Sequence, residues 1–197
     1  VYWQFGDWIG DSSIVYSRST STCRRQIYQT MIDGSGESML IDPVSFGEGE
    51  ASAPNVSPDG TKIAFGAQSG CNAYSFDIYT ANTDGSNITL LQQDSGDDNN
   101  EDIPVWDRNS DTVYFWHEPG RDGNVEIWSK AVSGGDATVV RSVAEPVMPC
   151  ATSPEGDSLL ITNRDSKSLI IRSLIDGTET TVVSAYAMGW ADWGTLP

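Results

Sequence analysis

Apolar and polar positions along residues 54–92 alternate in short runs broken by turn residues. Pro54–Ser57 leads into the turn Ser57-Pro58-Asp59-Gly60, and Lys62–Ala67 follows as an alternating strand. A polar loop around Cys71 leads to a third strand, Phe76–Ala81. Asn82-Thr83-Asp84-Gly85 then turns the chain into a fourth, Asn87–Gln92. β-Branched and aromatic residues at period 2 suit a pleated, half-buried surface. Proline presets φ at the second turn position, and Asp and Gly accept the backbone angles of the next two. One such sheet cannot bury its own faces, so the pattern calls for copies of itself.

The copies are present. Trp8-Ile9-Gly10-Asp11 precedes strands at Ser13–Ser17, Gln26–Met31 and Ser38–Ile41, with a turn at Asp33-Gly34-Ser35-Gly36. Trp106-Asp107-Arg108-Asn109 precedes Thr112–Trp116, Val125–Ala131 and Thr138–Arg141, and Ser153-Pro154-Glu155-Gly156 precedes Ser158–Thr162, Ser168–Leu174 and Glu179–Val183. The anchors Asp11, Asp59, Asn109 and Glu155 stand 48, 50 and 46 residues apart. A period in that range with four strands per repeat predicts an all-β chain, a β-propeller of four-stranded antiparallel blades. The repeats run over about 1–44, 50–93, 101–142 and 146–184 as one domain, and 185–197 supplies an extra terminal strand. Ser45–Ser52, rich in Gly and Glu, reads as an exposed crossing between blades.

Pro54 to Phe65, Asp77-Ile78-Tyr79 and Asp84-Gly85-Ser86 together resemble the WD40-like repeats of TolB-type β-propellers. Gln26-Ile27-Tyr28 with Asp33-Gly34-Ser35, and Glu126-Ile127-Trp128 with Gly134-Gly135, match the pattern more loosely; the fourth repeat has Leu169-Ile170-Ile171 in place of Asp-Ile-Tyr. The resemblance covers nearly the whole chain. It implies the fold and leaves the function open, because the family mixes transport scaffolds, lectin-like binders and non-catalytic domains of peptidases. It carries over no catalytic residue.

Trp190-Ala191-Asp192-Trp193 resembles the innermost strand that opens a repeat. Four repeats and a spare strand fit three arrangements. The favoured one is the C-terminal part of a larger propeller of about six to eight blades. The others are a four-bladed ring with one terminus displaced, and a strand that pairs with another copy.

The chain has 197 residues, enough for a substantial core. Its 11 basic and 28 acidic residues leave a net charge of −17. That field repels phosphate backbones and anionic lipid, which argues against nucleic-acid binding. No apolar run approaches the ~20 residues of a membrane helix, so no membrane insertion is expected. Without an initiating Met or an apolar leader, the sequence reads as a mature or trimmed product. Composition and resemblance both point to an extracytoplasmic protein, periplasmic or secreted. Cys23 and Cys71 each lie 12 residues after their repeat anchors, Asp11 and Asp59, and are a disulfide candidate across neighbouring loops. Two unrelated loop thiols fit the spacing equally well. Cys150, beside Pro149 on an innermost strand, reads as a small buried apolar residue. Asn55-Val56-Ser57 and Asn87-Ile88-Thr89 match glycosylation sequons.

Catalytic chemistry is sparse. The single histidine, His117, reads as a loop-edge residue before the turn Glu118-Pro119-Gly120, and there is no Gly-x-Ser-x-Gly elbow. Asp107, Asn109, Asp111 and Glu118 match calcium-loop positions, but the intervening strand cannot wrap an ion. The acidic segment Asp94–Asp102 is the better calcium candidate, with Asp94, Asp97, Asp98 and Asp102 as ligands, set against a solvated loop. No other cofactor is implied. Seven tryptophans offer either inter-blade packing or stacking on sugars; Trp3, Trp116 and Trp190 are the ligand-contact candidates. Trp8, Trp106 and Trp193 align at the ends of first strands and are expected to pack. The reading is a non-catalytic recognition or self-assembly module whose partner is a protein or further copies of itself. The rival is a carbohydrate-binding propeller, or the binding domain of a carbohydrate-active enzyme.

Overall fold

The computed structural model describes residues 6–21, 24–70, 75–93, 100–120, 125–184 and 191–193. Among the described residues, sixteen strands form four antiparallel sheets, each of four consecutive strands. Blade 1 contains β1 (Gly6–Ile9), β2 (Ser13–Ser21), β3 (Arg24–Met31) and β4 (Ser38–Ile41). A short 3-10 helix, Pro43–Phe46, leads to blade 2: β5 (Glu50–Val56), β6 (Lys62–Gln68), β7 (Asp77–Asn82) and β8 (Thr89–Gln92). Blade 3 holds β9 (Asn100–Trp106), β10 (Thr112–Glu118), β11 (Val125–Ala131) and β12 (Thr138–Val143). Blade 4 holds β13 (Val147–Thr152), β14 (Ser158–Asn163), β15 (Ser168–Ser173) and β16 (Glu179–Ser184). The blades form a propeller whose innermost strands, β1, β5, β9 and β13, line one axial cavity.

Strand alternation explains why the blades stack. In β6, Ile63, Phe65 and Ala67 join Val15, Ile27 and Ile41 of blade 1, while Ala64 joins Trp106, Val113 and Phe115 of blade 3. In β10, Val113 and Phe115 turn to blade 2, and Tyr114 and Trp116 pack toward Val147, Leu159 and Ile161 of blade 4. Each central sheet is therefore apolar on both faces, and its core lies between blades rather than within one. Arg141 adds a polar tie between blades 3 and 4: its Nε and Nη2 donate to Glu179 at 2.7 and 3.0 Å, and Arg172 donates to the same carboxylate at 2.8 Å.

The turns behave as their residues dictate. Asp59 accepts hydrogen bonds from Ser57 Oγ and from the N–H and hydroxyl of Thr61, and Gly60 takes φ +71 behind it. These bonds hold the Asp59 carboxyl below the ordinary aspartate range, the Ser57 hydroxyl contributing most. Asp107 uses its carboxylate in the same manner, accepting from the N–H groups of Asn109, Asp111 and Thr112, as a turn residue rather than a metal ligand.

The innermost strands depart from regular pairing. β5 shifts register between Ser52 and Asn55, β9 opposite Tyr114–Trp116, and β13 between Pro149 and Ala151. Ala53 and Ile103 sit at these shifts with φ +51 and +58, each followed by a proline. A bulge re-aims the side chains around it. For a β-branched residue such as Ile103, the left-handed region carries strain.

Three expectations from the sequence are overturned. Residues 45–52 are not wholly an exposed crossing, because Glu50, Ala51 and Ser52 are buried and begin β5. The strand that contains Trp116 runs on through Glu118, so His117 is a buried strand residue and not a loop-edge one. Trp8 is 57% exposed instead of packed, whereas Trp106 at the matching position is 2% exposed.

Candidate functional site

Two polar regions lie on or beside the axis. The first is the axial cavity of about 420 Å³, lined by Gly6 and Asp7, Ala53–Val56, Ile103–Trp106, Cys150–Thr152, and Ala191 with Asp192. These are matching positions of successive inner strands, and neighbours are joined by hydrogen bonds. Asp7 Oδ2 accepts from Asn55 Nδ2 at 2.9 Å and from the Val56 N–H at 2.8 Å. Asn55 Oδ1 accepts the Trp106 N–H at 3.0 Å, and the Asn55 carbonyl accepts the Trp106 indole, also at 3.0 Å. Thr152 donates to the Trp106 carbonyl at 2.9 Å. The terminal segment repeats the contact, with the Trp193 indole donating to the Ala151 carbonyl at 3.4 Å. Residues 191–193 thus take the inner-strand place that comes after blade 4.

Burial lifts the Asp7 carboxyl above the ordinary aspartate range. The charge of Asp192 adds to that rise, and the N–H groups of Val56 and Trp8 oppose it. Cys150 lines the cavity half-buried, with Sγ 3.6 Å from Thr162 Oγ1, and its burial pushes the thiol above the ordinary range. It is a cavity-wall residue rather than a fully buried apolar one.

The second region gathers at the starts of β5 and β9 and the ends of β6 and β10. Glu50 accepts from Arg25 Nε of blade 1 and from Gln68 Nε2 at 2.6 Å. Glu101 Oε1 stands 3.1 Å from His117 Nδ1, both residues are buried, and the Trp128 ring lies over the imidazole at 4.1 Å between centroids. Asp102 belongs to β9 rather than to a solvated loop, and its Oδ1 accepts the Ile103 N–H at 2.8 Å. Loss of hydration pushes its carboxyl up to about 6.

Gly66 makes room for this arrangement. A Cβ there would stand 2.5 Å from Asp102 Oδ1 and 3.2 Å from Phe76 Cδ1. Phe76 cannot easily retreat, since its N–H donates to Asn100 Oδ1 and its carbonyl accepts the Glu101 N–H. Gly66→Ala is expected to destabilise the fold by about 1–2 kcal/mol through overpacking. Urea denaturation measures it, and an unchanged midpoint would mean that Asp102 can move aside.

Of the residues singled out from sequence, the structure describes Trp116 and Asp102, which stand opposite each other across the β9–β10 pair. Trp116 is half-buried against the core between blades 3 and 4. It pairs with Ile127 while Trp128 pairs with Phe115, so the two indoles occupy opposite faces of blade 3. Trp3, Trp190, Cys23, Cys71, Asp94, Asp97 and Asp98 lie outside the described residues. Among the described residues no three His, Cys, Asp or Glu side chains converge as metal ligands. Sequence reasoning missed Asp7, Asn55, Glu50, Gln68 and Arg25. The available signals were a glycine within the apolar strand Lys62–Gln68 and the Asp-Trp pair repeated at 7–8 and 192–193.

No protein-family model matches the chain, and a search of curated proteins finds no match. Solved structures do match. A structure of putative TolB from Agrobacterium tumefaciens has a TM-score of 0.69 at 19% identity, over 86% of this chain and 60% of that one. TolB from Acinetobacter baumannii gives 0.69 at 13%, over 90% and 43%. A chain of a nidogen/laminin complex gives 0.62 at 21%, over 86% and 59%. Enzymes share the likeness: a prolyl endopeptidase structure gives 0.64 at 16% identity, over 93% of this chain and 30% of that one. The chain spans 30% to 60% of the length of these four matches. Its fold is that of a TolB-type β-propeller.

Proposed function

We propose that this chain is a non-catalytic, extracytoplasmic recognition module that engages a protein partner. The observation that carries the reading is the outer rim. The outermost strand of every blade holds an exposed large apolar side chain: Met39, Leu90, Val139, and Val182 with Val183. Such edges suit strand addition or loop docking. Among the described residues, Asp7, Asn55 and Thr152 hold the blades together, and His117 is enclosed with Glu101 beneath Trp128. The likeness to a chain of a nidogen/laminin complex supports protein recognition, and the resemblance to TolB-type repeats supports the extracytoplasmic setting. Self-assembly through the same exposed edges belongs to this reading, as does a larger propeller of which these blades are part.

The exposed Trp8 indole favours a second reading, a carbohydrate-binding propeller or the binding domain of a carbohydrate-active enzyme. The likeness to an oligogalacturonate lyase, with a TM-score of 0.62 at 12% identity, leans the same way. Light scattering over a concentration series and tryptophan fluorescence on a glycan panel separate the two. Concentration-dependent association that Leu90→Asp and Val139→Asp abolish, with no glycan response, is the expected result. A saturable fluorescence change with one glycan, lost in Trp8→Ala, would transfer the chain to the second reading.

A further inference from the structure

The contact between blades 2 and 3 holds a polar pocket that the recognition reading does not use. Glu50 pairs with Gln68 and Ser52 with Gly66, so these four residues share one face of the β5–β6 pair. Because β6 turns Phe65 to blade 1, that shared face looks toward blade 3. The bulge at Ile103 brings Asp102 of blade 3 onto it, with Oδ1 2.5 Å from the place of a Gly66 Cβ. Directly opposed residues hold their Cβ atoms about 5 Å apart. Ser52 Cβ therefore lies within about 8 Å of the Asp102 carboxylate, and Gln68 lies two residues along the same face.

Two oxygens here have no hydrogen-bond partner: Ser52 Oγ and Gln68 Oε1, on residues 0% and 5% exposed. Buried polar atoms are otherwise almost always satisfied, and those that are not call for an occupant. Of the nearby donors, Gln68 Nε2 and Arg25 Nε donate to Glu50, and the Ile103 N–H donates to Asp102. Asp102 and Glu50 set two carboxylates beside the Arg25 guanidinium, which Glu50 engages. Hydroxyl, amide and carboxylate oxygens together are the donor set of a hard cation.

We propose that Asp102, Gln68 and Ser52, bordered by Glu50, bind a hard metal cation, Na⁺ or Ca²⁺, that ties β9 of blade 3 to the β5–β6 pair of blade 2. The cation satisfies the two orphan oxygens. It also gives the acidic chain an ion-dependent joint between two blades.

The test uses the whole chain, treated with chelator and dialysed into tetramethylammonium chloride. Thermal melting is then followed with CaCl₂ or NaCl at matched ionic strength. One cation raises Tm saturably, by about 5–10 °C at roughly a hundredfold excess over its Kd, and which salt acts identifies the ion. Asp102→Asn removes the rise, and Ser52→Ala weakens the apparent affinity several-fold. Equal melting in all three salts, as an enclosed water would give, overturns the proposal. A rise that survives in Asp102→Asn also overturns it, because the cation would then sit elsewhere. Should Asp102→Asn not fold, Ser52→Ala decides, and an unchanged affinity there is fatal.

Discussion

Replacing Trp106 by alanine is expected to remove about 3–5 kcal/mol of folding stability. The side chain is 2% exposed and packs with Ala64 and Ile78 of blade 2 and with Val113 and Phe115 of its own blade. Its indole N–H donates to the Asn55 carbonyl at 3.0 Å, so truncation opens a cavity and takes the donor from a partly buried acceptor. Trp106→Phe separates the two costs. It keeps most of the volume and loses only the N–H, for about 1–2 kcal/mol. The backbone bonds of residue 106, to Asn55 Oδ1 and from Thr152 Oγ1, survive both changes. Trp8→Ala at the matching place in blade 1 should stay within about 0.5 kcal/mol, as surface substitutions do. Urea denaturation followed by far-UV circular dichroism gives all three values. If Trp106→Ala cost no more than Trp8→Ala, inter-blade packing at this position would not be what holds the propeller.

The contrast between these two tryptophans marks how far the sequence could be read. Both precede a turn at the end of a first strand, so their local patterns agree. What distinguishes them is the neighbouring blade, which no local pattern encodes. The repeat itself was legible because each blade must solve the same problem: two apolar faces, and turns of fixed chemistry between strands. That problem recurs every 46 to 50 residues in the chain. The errors arose where a residue's partner is distant in sequence. Glu50 reads as the end of a Gly- and Glu-rich linker until Arg25 and Gln68 are seen to hold its carboxylate. His117 precedes a Glu-Pro-Gly turn, yet its ring is enclosed by Glu101 and Trp128. Asp102 closes an acidic run that composition assigns to solvent, but the bulge at Ile103 aims it into blade 2. The axial relay was hidden for the same reason, since Asp7 and Asn55 look like ordinary polar strand residues until successive blades meet. The prolines at the bulges of β5 and β9 were readable as interruptions, because proline is poorly accommodated inside a paired strand.

Asp102 should also give the protein a stability that falls as the solution passes from acid toward neutral. Its carboxyl is pushed up to about 6 from 3.8, mainly by loss of hydration; Glu50 adds to the rise, while the Ile103 N–H and the charge of Arg25 oppose it. A folded pKa above the unfolded one means that the folded state holds the proton more tightly. The associated stability is complete below 3.8 and is lost as pH climbs through about 6. At 1.36 kcal/mol for each pKa unit, the ceiling is about 3 kcal/mol, and partial solvent access to Asp102 brings the expected loss to roughly 1–3 kcal/mol. Asp7 shifts in the same direction, whereas Asp59, Asp84, Asp176 and Glu179 shift downward and contribute stability that is lost at lower pH. A wild-type profile alone therefore mixes opposing slopes. The difference between wild type and Asp102→Asn removes every group but one. In metal-free buffer, urea denaturation at pH 4, 5, 6 and 7 should show wild type losing ground to the variant by that 1–3 kcal/mol, most steeply between pH 4 and 6. Parallel profiles would mean that Asp102 is hydrated in the folded protein, and that the joint between blades 2 and 3 is wetter than its packing against Gly66 and Phe76 implies.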